Sequence, residues 1–275
     1  MSQNYCYFNG DILPVKDAHI HISDLGLLRS YAVFDYFRTY KSKPFMLADH
    51  LERFRNSAEE LRLTLSLTDG EIASIIDELI HKSEVVDVGI RMVITGGYSL
   101  DSMAVSYPNF MIIIEPLPVM AEEVYSKGVS LKTYEYLREV PLIKSTAYLN
   151  AIKLQPMKEQ YDVWDLLYYF ENGVLECPRN NFFIFKDKVL ITPKDHILKG
   201  VTRKKILELA RGVFEVQERK LTLDELWEAD EAFISGTTKR IIPVVKIDDR
   251  SIGDGEVGEC TKELTQLFDE YIEAL

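Results

Sequence analysis

Apolar and polar positions along the first hundred residues alternate in two different periods. Tyr5 to Phe8 and Ala32 to Tyr40 are rich in aromatic and β-branched types and predict strands, with Asn9-Gly10 as a turn. Leu47, Leu51, Phe54, Ala58 and Leu61 recur at spacings of four and three and predict a helix whose Asp49, Glu52 and Glu59 face outward. Ile72, Ile75, Ile76 and Leu79 repeat that pattern after Asp69-Gly70, and strands resume at Val88 to Thr95 and Phe110 to Glu115. The prolines of Pro116-Leu-Pro-Val-Met-Ala mark a connection, which sets two domains, 1–118 and 119–275.

Beyond that connection, strands are expected at Val129 to Tyr136, Trp164 to Phe170, Asn181 to Phe185, Val189 to Thr192 and Phe233 to Ser235. Ala147 to Gln160 reads as a helix that Pro156 kinks or interrupts. A helix opens at Gly200-Val201-Thr202-Arg203, and a last amphipathic one carries Leu264, Leu267, Phe268 and Tyr271. Strands and helices mix without strict βαβ alternation, so the expected class is α+β.

Composition narrows the partners. With 32 Lys plus Arg against 44 Asp plus Glu the formal charge is −12, which disfavours nucleic acid and anionic lipid, so an anionic ligand must meet local cations. Cys6, Cys177 and Cys260 are far apart and odd in number, which argues against disulfides and structural zinc and suits a reducing cytoplasm. No export signal or membrane span is expected. His19-Ile20-His21 lacks a third ligand, so no metal is assigned.

Single lysines and glutamates carry little weight in so charged a chain; their order carries more. Phe8-Asn9-Gly10, Asp24-x-Gly26, Val33-Phe34-Asp35-x-x-Arg38-x-Tyr40 and His50-Leu51-x-Arg53 are followed by Ile143-Lys144-Ser145, Asn172-Gly173-Val174-Leu175-Glu176 and Asn181-x-Phe183. Leu198-Lys199-Gly200-Val201-Thr202-Arg203, Ser235-Gly236-Thr237-Thr238 and Ile242-Pro243-Val244 complete the set. This ordered series resembles the class IV aminotransferases, the family of D-amino acid aminotransferases, branched-chain aminotransferases and aminodeoxychorismate lyases, over essentially the whole chain.

The resemblance implies a two-domain fold type IV enzyme that uses pyridoxal 5'-phosphate (PLP), with a small N-terminal domain and a larger barrel-like domain holding the Schiff-base lysine. It implies that Lys144 condenses with the PLP aldehyde and then serves as general acid and base. It assigns Glu176 to the pyridine nitrogen, Leu198 to the ring face, and Arg53, Val201, Thr202 and Thr237 to the phosphate. An amino acid and a 2-oxo acid are the implied substrates and a homodimer the implied assembly.

Substrate choice rests on Arg29, Phe34, Arg38, Arg91, Arg179 and Thr238. The loop after Thr95, Gly96-Gly97-Tyr98-Ser99, has no Arg-x-His pair of the kind that binds the α-carboxylate in D-amino acid aminotransferases. An arginine-based pocket of D-amino acid type is the first expectation, a branched-chain L-amino acid aminotransferase the second and aminodeoxychorismate lyase the third. A non-catalytic PLP-binding homologue is the reading from outside enzymology.

Overall fold

The computed structural model describes residues 4–275. The chain divides into two compact units, one running to Pro118 and taking in Ile143–Tyr148, the other made of Val119–Leu142 and Leu149–Leu275. The Lys144 segment therefore clusters with the first unit, whereas the sequence reading assigns it to the second.

The first unit is built on a six-stranded sheet with strands β1 (Tyr5–Phe8), β2 (Asp11–Pro14), β3 (Ala32–Tyr40), β4 (Lys43–Pro44), β5 (Gly89–Thr95) and β6 (Phe110–Glu115), in the order β2-β1-β6-β5-β3-β4. Helix α1 (Leu25–Arg29) precedes β3, and α2 (Leu47–Glu60) and α3 (Asp69–Ser83) follow β4. Alternation decides which face is covered. Val33, Phe37, Ile90, Met92, Ile94 and Ile112 are fully buried and pack with Leu51, Phe54, Ile72, Ile76 and Leu79 of the two longer helices. Phe34, Tyr36, Arg38, Arg91 and Val93 point to the other face and are only partly covered.

Local sequence explains the helix ends. Thr68 and Glu71 form a reciprocal capping box at the start of α3, while Asp24 caps α1 by accepting from Gly26 N–H. Five residues are too few to show a helical period, which is why α1 is absent from the pattern reading.

The second unit carries an eleven-stranded mixed sheet. Its path runs β13-β12-β11-β15-β16-β7-β8-β9-β14, with β10 beside β11 and β17 beside β16. The strands are β7 (Val129–Glu135), β8 (Asp165–Phe170), β9 (Gly173–Val174), β10 (Glu176–Cys177), β11 (Asn180–Lys186), β12 (Val189–Thr192), β13 (Glu215–Glu218), β14 (Leu221–Thr222), β15 (Glu231–Gly236), β16 (Arg240–Ile247) and β17 (Arg250–Ser251). Its helices are α4 (Glu122–Lys127), α5 (Leu149–Lys153), α6 (Gln155–Gln160), α7 (Val201–Ala210), α8 (Leu223–Trp227) and α9 (Glu259–Glu273).

The expected helix over Ala147 to Gln160 is two short helices, because Pro156 stands in the first turn of α6, where a missing N–H does no harm, and α5 has already ended at Lys153. Phe182, Ile184, Ile234, Ile242 and Val244 form the interior of the sheet with Leu131 and Leu167.

Candidate active site

Two groups of sequence-predicted residues come together, one within each unit. In the first unit, Lys144 is fixed through its backbone: its carbonyl accepts from Phe34 N–H at 2.9 Å, and Thr146 N–H donates to the Ala32 carbonyl at 3.0 Å. Its own N–H donates to Ser57 Oγ at 3.3 Å. The ammonium lies 4.6 Å from the centroid of the Phe34 ring. Lys144 thus stands on the partly covered face of the sheet, beside Phe34.

Arg53 projects from α2 onto the buried carboxylate of Asp35 with two parallel bonds, Nε to Oδ2 and Nη2 to Oδ1, each 2.8 Å. His50, one turn earlier, brings Nδ1 to 2.7 Å from Asp35 Oδ1. Burial opposes ionisation of Asp35, but the charges of Arg53 and His50 and their hydrogen bonds overcome it and hold the carboxyl well below the usual range. His50 moves down because burial, reinforced by Arg53 and Lys144, outweighs Asp35. Asp35 and His50 sit in the motifs that carry the family resemblance, yet only the fold reveals that they orient Arg53.

The substrate-assigned arginines are differently placed. Arg91 pairs through Nε and Nη2 with the two carboxylate oxygens of Glu115 on the neighbouring strand and stacks 4.9 Å from the Tyr36 ring and 5.5 Å from that of Phe34. Tyr36 leans across Gly89: a Cβ at that glycine would lie 2.1 Å from the phenol oxygen. Arg38 donates from Nε to the Thr39 carbonyl at 3.1 Å and covers the Tyr40 ring at 4.1 Å. Arg29 is exposed at the end of α1, its Nη1 on the Leu28 carbonyl at 2.9 Å.

In the second unit, the Glu176 carboxylate is 6% exposed as a residue and accepts on both oxygens. Arg138 donates to Oε1 from Nε at 2.9 Å and from Nη2 at 2.8 Å, and Leu198 N–H donates to Oε2 at 3.0 Å. Nothing in the sequence marks Arg138, which stands outside the matched motifs. Asn181 Nδ2 donates to the Leu198 carbonyl at 2.7 Å, so the residue before Lys199 is held from both sides. Gly200 caps α7 without a side-chain bond, and a Cβ there would lie 2.2 Å from Asn181 Oδ1. The N–H groups of Val201 and Thr202 therefore begin a ten-residue helix behind a bare backbone cap, the arrangement that receives anions. Thr237 and Thr238 stand half-buried in the turn between β15 and β16, and Arg179 is exposed between β10 and β11.

Chemically, the first unit offers a primary amine on an aromatic-lined face and a carboxylate-oriented guanidinium. The second offers a buried, charge-paired carboxylate tied through the Leu198 N–H to the segment that opens α7. Among the described residues no group of three His, Cys, Asp or Glu side chains could hold a metal ion, and no helix is long and apolar enough to cross a membrane.

Known proteins share both the sequence and the fold. Residues 32–247 match the model of the family described as Amino-transferase class IV. A protein of Methanocaldococcus jannaschii named "Putative branched-chain-amino-acid aminotransferase" is 35% identical over 272 residues, which cover 95% of this chain and 94% of that one. The "D-alanine aminotransferase" of Staphylococcus epidermidis is 30% identical over 275 residues, 98% of both chains. Among solved structures, the Escherichia coli branched-chain amino acid aminotransferase superposes with a TM-score of 0.90 at 27% identity, covering 98% of this chain and 95% of that one. The branched-chain amino acid aminotransferase of Thermobaculum terrenum, solved in its PLP form, gives 0.87 at 26% identity over 99% and 95%. With the mixed α+β fold and the ordered motifs, these likenesses place the chain in one family: it belongs to the class IV aminotransferases.

Proposed function

We propose that this chain is a PLP-dependent transaminase that moves an amino group between an amino acid with an apolar side chain and a 2-oxo acid, with Lys144 as the reacting amine. The residues present fit the cofactor. The bare cap at Gly200, packed against Asn181, leaves the start of α7 open to a phosphate, and the Glu176 carboxylate, paired with Arg138, is the group to meet the ring nitrogen. By the family resemblance, Leu198, whose N–H is tied to Glu176, is assigned to the ring, and Arg53, Val201, Thr202 and Thr237 are assigned to the phosphate. PLP, when bound, supplies the electron sink for the bond broken at the amino acid's Cα. Lys144 then carries the proton to and from that carbon, and Phe34 beside its ammonium limits water there.

The observation behind an apolar substrate is the sheet face beside Lys144. Phe34, Tyr36 and Val93 share it, and of its two arginines Arg91 is already matched by Glu115 while Arg38 is folded over the Tyr40 ring, which makes both poor receptors for a second carboxylate. This moves a branched-chain type of activity ahead of the D-amino acid type that the sequence alone favours. A D-amino acid reading keeps the support of relatives named D-alanine aminotransferase, among them the Staphylococcus epidermidis protein at 30% identity.

Half-reactions decide between them. The PLP-loaded protein is mixed with L-leucine, D-alanine and D-glutamate in turn, and the visible cofactor band is followed, with Lys144→Ala as the control. We expect L-leucine to convert the band and the control to be silent. Conversion by D-glutamate without L-leucine would overturn the apolar substrate, conversion by D-alanine alone would overturn the branched-chain reading, and a band indifferent to Lys144→Ala would overturn the role of the lysine.

A further inference from the structure

One buried charge of the second unit has no part in the assignments above. Lys239 closes the turn between β15 and β16, where its N–H donates to the Gly236 carbonyl at 3.0 Å, and the residue is only 8% exposed. Its Nζ donates to Asn180 Oδ1 at 2.9 Å, and among the described residues it forms no ion pair. Asn180 in turn donates from Nδ2 to Asp165 Oδ2 at 3.3 Å, while Asp165 Oδ1 accepts from Leu166 N–H at 3.0 Å. The acid thus reaches the ammonium only through a neutral carboxamide.

The turn itself rests on that carboxamide. A Cβ at Gly236 would meet Asn180 Oδ1 at 2.9 Å and the Arg179 carbonyl at 3.3 Å. Gly236, Asn180 and Lys239 are therefore one packed block, and Thr237 is carried on it. A fully hydrated lysine side chain costs several kcal/mol to bury as an ion, and an amide oxygen compensates only in part. Asp165, one carboxamide away, adds a further part, and a second negative charge close to the turn would complete the compensation.

We propose that Lys239 is a positioning residue for the cofactor phosphate: held by Asn180 against the Gly236–Lys239 turn, its buried ammonium supplies a fixed counter-charge to the phosphate at Thr237. The inference rests on the PLP reading above. Burial and the neighbouring Arg179 lower the ammonium's pKa to about 8, with Asp165 opposing and Lys158 of α6 adding to the lowering. Cys177 is itself pushed well up by burial and stays a neutral thiol at that pH. An arriving phosphate raises the lysine's pKa again, so above about pH 8 binding must take up a proton and affinity falls as pH rises.

The test compares PLP with pyridoxal, which lacks the phosphate, by titrating the full-length protein freed of cofactor. Lys239→Met is expected to weaken PLP about tenfold, a loss of about 1.4 kcal/mol, and to leave pyridoxal unchanged; Lys239→Arg restores most of the loss. In the wild-type protein the PLP-to-pyridoxal affinity ratio falls between about pH 7 and pH 9, and in Lys239→Met it stays flat. Parallel changes for both ligands, or no change, would assign Lys239 to folding alone and overturn the proposal. If Lys239→Met does not fold, the wild-type pH comparison decides: a flat ratio overturns it. A wild-type chain that bound neither ligand would remove the PLP reading instead.

Discussion

At the scale of single residues, what distinguishes this molecule is how its charges are matched. Asp35 is wholly buried, and it is tolerated because Arg53 and His50 together surround both of its oxygens. Its folded-state pKa lies below its unfolded value, so ionisation stabilises the fold: the contribution is complete above the unfolded value near pH 4 and drains away as pH falls toward the folded one. Asp35→Asn keeps the shape but leaves Arg53 and His50 facing a neutral group, for an expected loss of roughly 3 kcal/mol at neutral pH. The loss should shrink steadily as the solution is acidified below about pH 4. Urea unfolding at several pH values checks both, and a constant difference across pH would show that Asp35 is not the acid-labile group. Lys144 and Glu176 could be proposed from the sequence because each sits inside a short motif with neighbours of fixed type. Arg138 could not: its meeting with Glu176 depends on the route of the chain after β7, which no local pattern encodes.

At the scale of elements, strands with a clean alternation and helices of fourteen or fifteen residues are legible, because a long period repeats enough times to be seen. The short pieces are not, and Gly200 shows why they matter. It joins a two-sided backbone clamp at Leu198 to the first turn of α7, and only a residue without Cβ lets Asn181 reach across. Gly200→Ala is expected to displace Asn181, cost roughly 1–3 kcal/mol of stability and weaken inorganic phosphate and PLP alike. Pyridoxal binding should suffer less. Thermal unfolding together with the three titrations separates these effects, and an alanine variant with unaltered phosphate affinity would remove the start of α7 from the anion site.

At the scale of the whole molecule, the division of the chain is the feature that patterning renders least well. Prolines at 116 and 118 signal a change of unit, but nothing between Leu142 and Leu149 announces that six residues return to the first one. The return is made by backbone pairing to the first residues of β3, a non-local contact without a side-chain signature. That pairing turns a flexible side chain into an arm on a fixed pivot. The four methylenes of Lys144 can swing between partners while its Cα stays pinned by the Phe34 and Thr146 amides. The amide protons of these two residues should therefore exchange with deuterium slowly and at rates that hardly change when cofactor or substrate is added; faster exchange on either addition would show that the pivot moves. A catalyst built this way changes its covalent state many times without remodelling its frame, and turnover would be limited by traffic of small molecules rather than by movement of the main chain at the lysine.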